Sequence, residues 1–201
     1  MFDRKVKIKY FYLNVFVRVS KPAREQGLNI HQALAHTWAT DTLICMKIEI
    51  IQAETVEQIE RTRELFREYE AWFGLKLCFQ NFDEEVANLP GKYALPEGRL
   101  FLAFADEKLA GCIALRKLED GICEIKRLFV RDEFRGQKIG IALIEKLFVE
   151  AKNIGYQKIR LDTFPAKMDK AVSLYESYGF REIAPYYHNP YGETLFMELE
   201  F

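Results

Sequence analysis

Cys123-Glu124-Ile125-Lys126-Arg127-Leu128-Phe129-Val130-Arg131-Asp132-Glu133-Phe134-Arg135-Gly136-Gln137-Lys138-Ile139-Gly140-Ile141-Ala142-Leu143 is the stretch on which the reading of this chain turns. An apolar strand ending Leu128-Phe129-Val130 runs into a charged turn, then a short loop carrying two glycines, then a helix. Leu143, Ile144, Leu147, Phe148 and Ala151 recur at helical spacing, which places the first helical turn near Gln137 to Gly140. Its free amides then point back over the loop and carry partial positive charge. Gly136 and Gly140 have no Cβ to keep a ligand off the backbone, and Arg135 and Lys138 add formal charge. The stretch is therefore built for an anion, and a phosphate group fits that description.

Several phosphate loops share this physics, so spacing must separate them. A nucleotide-hydrolase loop needs G-x-x-x-x-G-K-[ST], but Gly140 is followed by Ile141 and Ala142. The dinucleotide fingerprint needs G-x-G-x-x-G, which Gly136-Gln137-Lys138-Ile139-Gly140 does not supply. What remains, Arg135-Gly136-Gln137-Lys138-Ile139-Gly140 after a strand ending Leu-Phe-Val, resembles the acetyl-CoA loop of the GNAT superfamily of N-acetyltransferases, [QR]-x-x-G-x-[GA]. Arg135 and Gly140 match its ends, while Lys138 stands where the family usually has its middle Gly. An ordinary basic strand-to-helix turn is the plain alternative.

Ala171-Val172-Ser173-Leu174-Tyr175-Glu176-Ser177-Tyr178-Gly179-Phe180 adds a second match, to the A-x-x-L-Y-x-x-x-G-F motif of the same superfamily at the family's usual distance downstream. It reads as a short helix closed by Gly179 and followed by a strand. Met168 occupies the position, three before Ala171, where the family often has Asn. The resemblance covers residues 46–201 and implies a mixed, mostly antiparallel α/β (α+β) sheet flanked by helices, with the strand-loop-helix cofactor site at its centre.

With 201 residues and 49% hydrophobic content the chain can bury one sizeable core. A net charge of -1 gives no overall basic field, which argues against a dedicated nucleic-acid binder. Cys45, Cys78, Cys112 and Cys123 form no C-x-x-C pair for metal or redox work and read as reduced thiols of a cytoplasmic protein. No run approaches the roughly 18 apolar residues of a membrane span.

Residues 1–45 differ from the rest. Arg4, Lys5, Lys7 and Lys9 before Tyr10 to Val17 imitate a signal peptide, but Asn14 and Arg18 cut the apolar run short. Three readings stand: an ordered extra element, a partner-binding arm, or translated sequence upstream of a start at Met46. The last is favoured, because Met46 opens a strand where the family resemblance also opens. Beyond it the patterning predicts a helix from Val56 to Phe73 ended by Gly74, a loop over Leu75 to Asn81, and a short helix from Asp83 to Leu89. A hairpin follows, Arg99 to Ala105 and Leu109 to Lys117, then the central strand. The remaining order is helix (Ile139 to Asn153), strand (Lys158 to Asp162), helix (Met168 to Tyr178), strand (Phe180 to Ala184) and strand (Thr194 to Glu200).

The resemblance implies an acetyl-CoA-dependent N-acetyltransferase that moves acetyl directly to a primary amine of a small molecule or protein, without a metal. The Arg135 to Gly140 loop, Gly136, Gln137, Lys138 and Ile139 included, would hold the pyrophosphate. Backbone of Leu128, Phe129 and Val130 would hold the pantetheine arm as an added strand would. Tyr175 is the candidate general acid, because a phenol of pKa near ~10 can protonate a thiolate whose conjugate acid lies nearer ~8.5. A core aromatic on an amphipathic helix is the plain alternative. Glu124 is the candidate base, with pairing to Lys126 or Arg127 as its alternative. His188 competes for the same role, and Tyr187 and His188 in Pro185-Tyr186-Tyr187-His188-Asn189-Pro190 are candidates for lining the acceptor pocket. The rival class is a non-catalytic acyl-CoA-binding regulatory module, for which Lys138 and Met168 leave room. Neither the acceptor nor a homodimer is decided by the sequence.

Overall fold

The computed structural model describes residues 11–17, 44–74, 77 and 81–201, with side chains from residue 46 onward. The elements in order are β1 (Phe11–Val17), β2 (Ile44–Gln52), α1 (Val56–Phe73), α2 (Phe82–Ala87), β3 (Arg99–Ala105), β4 (Lys108–Glu119) and β5 (Ile122–Val130). They continue with α3 (Ile139–Ile154), β6 (Lys158–Thr163), α4 (Pro165–Ser177), β7 (Arg181–Glu182) and β8 (Leu195–Glu200). Single 3₁₀ turns cover Gly91–Tyr93 and Asp132–Phe134. The strands form one sheet in the order β1-β2-β3-β4-β5-β6-β8-β7. Its neighbours pair antiparallel except β5 and β6, which run parallel.

Alternation along the central strands sends side chains into two cores. Ala110, Ile113 and Leu115 of β4 join Cys123 and Ile125 of β5 under α3. Leu109, Cys112 and Ala114 face the other way and pack with Leu65 and Phe66 of α1 and Phe82 and Val86 of α2. Both helices that cover these faces are set by their ends. Thr55 caps α1 in a reciprocal box with Gln58, and Gly74 closes it in the left-handed region (φ 67°). In α3 the buried Ile139, Leu143, Leu147 and Ala151 fall on one stripe, and Gly155 (φ 104°) ends it. Cys112 and Cys123 are free and buried; Cys45 and Cys78 lie outside the residues whose side chains are described. No helix among the described residues is long and apolar enough to cross a membrane.

Several boundaries differ from the sequence reading. The strand expected at Met46 begins at Ile44, and its residues Ile44 to Ile50 pair with β1 along the sheet edge. The helix expected at Met168 begins at Pro165, whose fixed φ suits a first helical turn. Met168 itself is non-helical (φ -129°), a kink that hides the true start from periodicity. The strand expected over Phe180 to Ala184 is only Arg181–Glu182, although the Ile183 amide still bonds the Phe196 carbonyl at 2.9 Å. Most of the loop expected over Leu75 to Asn81 lies outside the described residues.

Two irregularities position the site. First, β5 carries a bulge: Lys126 sits opposite Ala114 and Phe129 opposite Cys112, so Arg127 and Leu128 together face Ile113. Arg127 takes a left-handed conformation (φ 56°), and side-chain alternation changes phase there. Glu124 and Lys126 therefore share the α1 face with Phe129, while Leu128 and Val130 turn toward α3. Second, β5 and β6 pair over only three residues, Ile122↔Lys158 to Glu124↔Arg160. Past Glu124 the two strands separate, so β5 keeps β4 on one edge while β6 keeps β8 up to Thr163. A wedge opens between them.

Candidate active site

The α3 end of the wedge is a backbone site. Gly136 (φ 79°) and Lys138 (φ 61°) are both left-handed, which turns the chain sharply before Ile139 starts the helix. Lys138 thus adopts the conformation glycine favours, at a cost of about 1–2 kcal/mol for a residue with a Cβ. That cost explains why the family usually has Gly there. No side chain caps α3, so its first amides have no partner within the helix and face the loop. A Cβ on Gly136 would meet nothing within 4 Å, and one on Gly140 only Val130 Cγ2 at 3.8 Å. Packing of the chain itself therefore demands glycine at neither position on grounds of space; the open backbone suits a phosphate.

The cations around this loop are not equivalent. Arg131 fastens the turn to α1, with Nε and Nη2 on Glu68 (2.8 and 2.7 Å), a further bond to Glu64, and Nη1 on the Leu109 carbonyl (3.0 Å). Arg135 pairs with Asp132 at 2.8 Å, donates to the Val130 carbonyl at 3.1 Å and lies 4.8 Å from the centre of the half-exposed Trp72 ring. Lys138 is exposed. Arg135 and Lys138 are thus the residues that could turn to a phosphate.

At the centre of the wedge lies a cavity of about 60 Å³. Tyr69 and Phe73 of α1, Phe164 and Met168 give it an aromatic and thioether wall, with Tyr69 and Phe73 stacked at 5.8 Å and Phe73 edge-on to Phe164 at 6.0 Å. Leu128, Lys126, Asp162 and Tyr175 close the other sides. Lys167 bonds the Phe73 carbonyl and ties the start of α4 to the end of α1 above it. Tyr175 is 6% exposed, packs 5.5 Å from Phe180 and has its phenol pushed well up by burial. It stays protonated across any working pH and can donate a proton into the cavity.

Behind the cavity, on the α1 face of the sheet, is a layer of buried charge. Glu124 is fully buried; its Oε2 accepts from Arg116 Nε at 2.5 Å and its Oε1 from the Tyr186 hydroxyl at 2.8 Å, with Lys126 Nζ at 3.6 Å. Lys126 instead reaches Asp162 Oδ1 at 2.6 Å. Burial pushes the Asp162 carboxyl up, but the charge of Lys126 and hydrogen bonds from Lys126 and Tyr187 outweigh it and hold the group below the usual carboxylate range. The bulge carries Arg127 away from Glu124 to a two-pronged bond with Glu85 of α2 (2.9 and 2.8 Å), where Phe82 flanks its guanidinium at 5.0 Å. Burial raises Glu85 and the Arg127 bonds pull it lower than they find it, so it too is held low.

The structure thus brings Tyr175 and Leu128 to one cavity and places two of the other expected residues outside it. Glu124 does not line that cavity, and its chief partner is Arg116 across the β4–β5 ladder rather than Lys126 or Arg127. Neighbouring charges in sequence point to opposite partners once strand alternation and the bulge act. His188 is exposed and lines none of the described cavities; Asn189, Tyr191 and Thr194 supply the wall from that loop. Tyr187 acts from beneath, bonding Asp162 and lying 5.8 Å from Lys126 Nζ. Asp162 was missed. In Lys158-Ile159-Arg160-Leu161-Asp162 it alternates with apolar residues like any solvent-facing strand charge, and only the covering loop shows otherwise.

Comparison with known proteins bears on this arrangement directly. The model of the acetyltransferase (GNAT) family matches residues 58–180, from α1 through both quoted motifs. An uncharacterised N-acetyltransferase of Schizosaccharomyces pombe is 38% identical over 155 residues, covering 76% of this chain and 94% of that one. One of Dictyostelium discoideum is 33% identical over 217 residues, covering 77% and 99%. Among solved structures, a GNAT-family acetyltransferase of Staphylococcus aureus superposes with a TM-score of 0.64 at 25% identity, covering 76% of this chain and 98% of its own. A PaiA N-acetyltransferase of Thermoplasma acidophilum, solved with coenzyme A, shares the fold at a TM-score of 0.59 and 23% identity, covering 77% and 99%. A bulged strand that parts from its parallel neighbour, a left-handed loop opening a helix, and a relative sharing more than a third of aligned residues all converge: the chain is an acyltransferase belonging to the GNAT acetyltransferase family.

Proposed function

We propose that the protein transfers acetyl from acetyl-CoA directly to a primary amine of a small molecule or of a protein. The observation that carries the reading is the wedge past Glu124, where β5 leaves one edge unpaired before it leads into the uncapped start of α3, and where Tyr175 lines the cavity between the parted strands. Backbone of Leu128 to Val130 offers an extended ligand arm the bonds of an added strand. The loop from Arg135 to Gly140 offers helix-start amides and two cations to a pyrophosphate. Tyr175, uncharged because it is buried, supplies the proton that a departing thiolate needs. That a solved protein of the same fold, the Thermoplasma acidophilum N-acetyltransferase, carries coenzyme A supports the same cosubstrate here. The aromatic wall of Tyr69, Phe73 and Phe164 excludes water from the reacting groups.

The test is release of free CoA thiol from acetyl-CoA in the presence of a panel of amino acids, polyamines, arylalkylamines and lysine-bearing peptides. Amine-dependent release, with the acetylated amine identified by mass spectrometry, is the expected result. Binding of acetyl-CoA without amine-dependent release across the panel would overturn it.

A further inference from the structure

Two carboxylates sit in the buried charged layer, and geometry separates their roles. Glu124 lies at the last position where β5 and β6 still pair, opposite Arg160, and Arg116, Tyr186 and Lys126 occupy its oxygens. Asp162 lies two residues further along β6, where the wedge has opened, and it lines the same cavity as Tyr175. Its Oδ1 accepts from Lys126 at 2.6 Å, and Tyr187 supplies a second hydrogen bond. A carboxylate has about four lone-pair sites, so Asp162 keeps capacity to accept from a ligand in the cavity. We infer that Asp162, rather than Glu124, is the carboxylate that meets the acceptor's amine and takes its proton during transfer. The inference rests on the acetyl-transfer reading above.

In this step the amine nitrogen bonds to the acetyl carbonyl carbon and the carbon–sulfur bond breaks. The nitrogen's surplus proton passes to an Asp162 oxygen, and the departing sulfur takes the Tyr175 hydroxyl proton; solvent returns both groups to their starting states. A nitrogen already bonding to carbon is a far stronger acid than a free ammonium, so a carboxylate held ionised is an adequate acceptor. The groups that face Asp162 are Lys126 and Arg127 from β5, Tyr186 and Tyr187 from the loop before β8, Tyr69 from α1 and Tyr175 from α4. Lys126 and Arg127 are basic side chains and the four phenols are kept protonated by burial, so Asp162 is the one carboxylate among them.

The experiment uses the full chain and whichever amine the wild type acetylates best. Asp162→Asn should lower kcat/KM for the amine at least ~10²-fold while the KM for acetyl-CoA stays within about twofold. Because that variant removes the nearest counter-charge of the buried Lys126, the double variant Asp162→Asn/Lys126→Met is measured beside it. There the buried charge is neutralised on both sides, and the melting temperature should recover while transfer stays lost. Recovery of transfer together with the melting temperature would show that Asp162 only balances Lys126, and would overturn the inference. So would an Asp162→Asn single variant with wild-type transfer. If the wild type itself acetylates no amine of the panel, the acetyl-transfer reading fails first and the inference fails with it.

Discussion

On the α3 side of the wedge the groups that would meet a ligand are backbone: the free edge of Leu128 to Val130 and the first amides of α3 behind Gly136 and Lys138. On the α1 side they are side chains, Asp162, Lys126, Tyr187 and Tyr175, brought from two strands, a loop and a helix. A backbone site is fixed by local conformation, so a few consecutive residues determine it. A side-chain site is fixed by packing between distant elements, and a change in any of them re-aims it. The α3 side therefore suits a feature held constant, a pyrophosphate and an extended arm, and the α1 side suits a feature that differs between enzymes, the acceptor.

Tyr175 stands where the two sides meet, and its substitution carries the largest expected effect. Tyr175→Phe removes one oxygen and keeps the ring against Phe180, so folding and acetyl-CoA binding should persist. Turnover should fall by about 10²- to 10⁴-fold, read in kcat rather than in cofactor affinity. Wild-type turnover, with chemistry shown to limit the rate, would make Tyr175 a core residue alone.

Gly136→Asp should act on the backbone side only. A side chain at φ 79° is strained, and a carboxylate would repel a pyrophosphate at the helix start. Acetyl-CoA affinity measured by calorimetry should fall roughly 10- to 100-fold, about 1.4–2.7 kcal/mol. Unchanged affinity would remove the loop from the site.

A chain starting at Met46 touches neither side, since β2 is separated from β5 by β3 and β4. It loses the β1 edge strand, paired over seven positions, and the melting temperature should drop a few degrees at ~2–4 °C per kcal/mol. Acetyl-CoA affinity should be unaltered; an insoluble product would make the first 45 residues part of the core. Lys138→Gly carries the smallest effect. It relieves the left-handed strain at the cost of chain entropy, for a net stabilisation of about 0.5–1 kcal/mol in a denaturant melt. A loss of stability would mean that the Lys138 side chain is held by contacts stronger than the strain.

The same contrast explains what could be read from sequence. The loop from Arg135 to Gly140, the helix around Tyr175, the Asp106-Glu107 hairpin turn and the Gly74 and Gly155 caps are local, and each announces itself by residues within a turn of one another. The pairing of Arg127 with Glu85, 42 positions away, depends on a bulge that no sequence signal marks, because Ile125-Lys126-Arg127-Leu128 reads as an unbroken strand. Glu124 was legible as an acid on the central strand, yet its burial and its partner Arg116 come from strand register, which the hairpin residues leave open. Asp162 had no signal of its own. The kink at Met168 hid the first turn of α4, and with it the Lys167 tie that roofs the cavity.

The claim under all of this is that the cosubstrate lies in the β5–β6 wedge with its phosphates at the start of α3. Amide hydrogen exchange of the full chain, with and without CoA, reads it without knowledge of the acceptor. Exchange at those amides of Leu128 to Val130 that face away from β4, and at Gly136 to Ile141, should slow when CoA is bound, because they gain partners they lack in the free protein. Saturating CoA with exchange unchanged at both segments would place the ligand elsewhere and contradict the account.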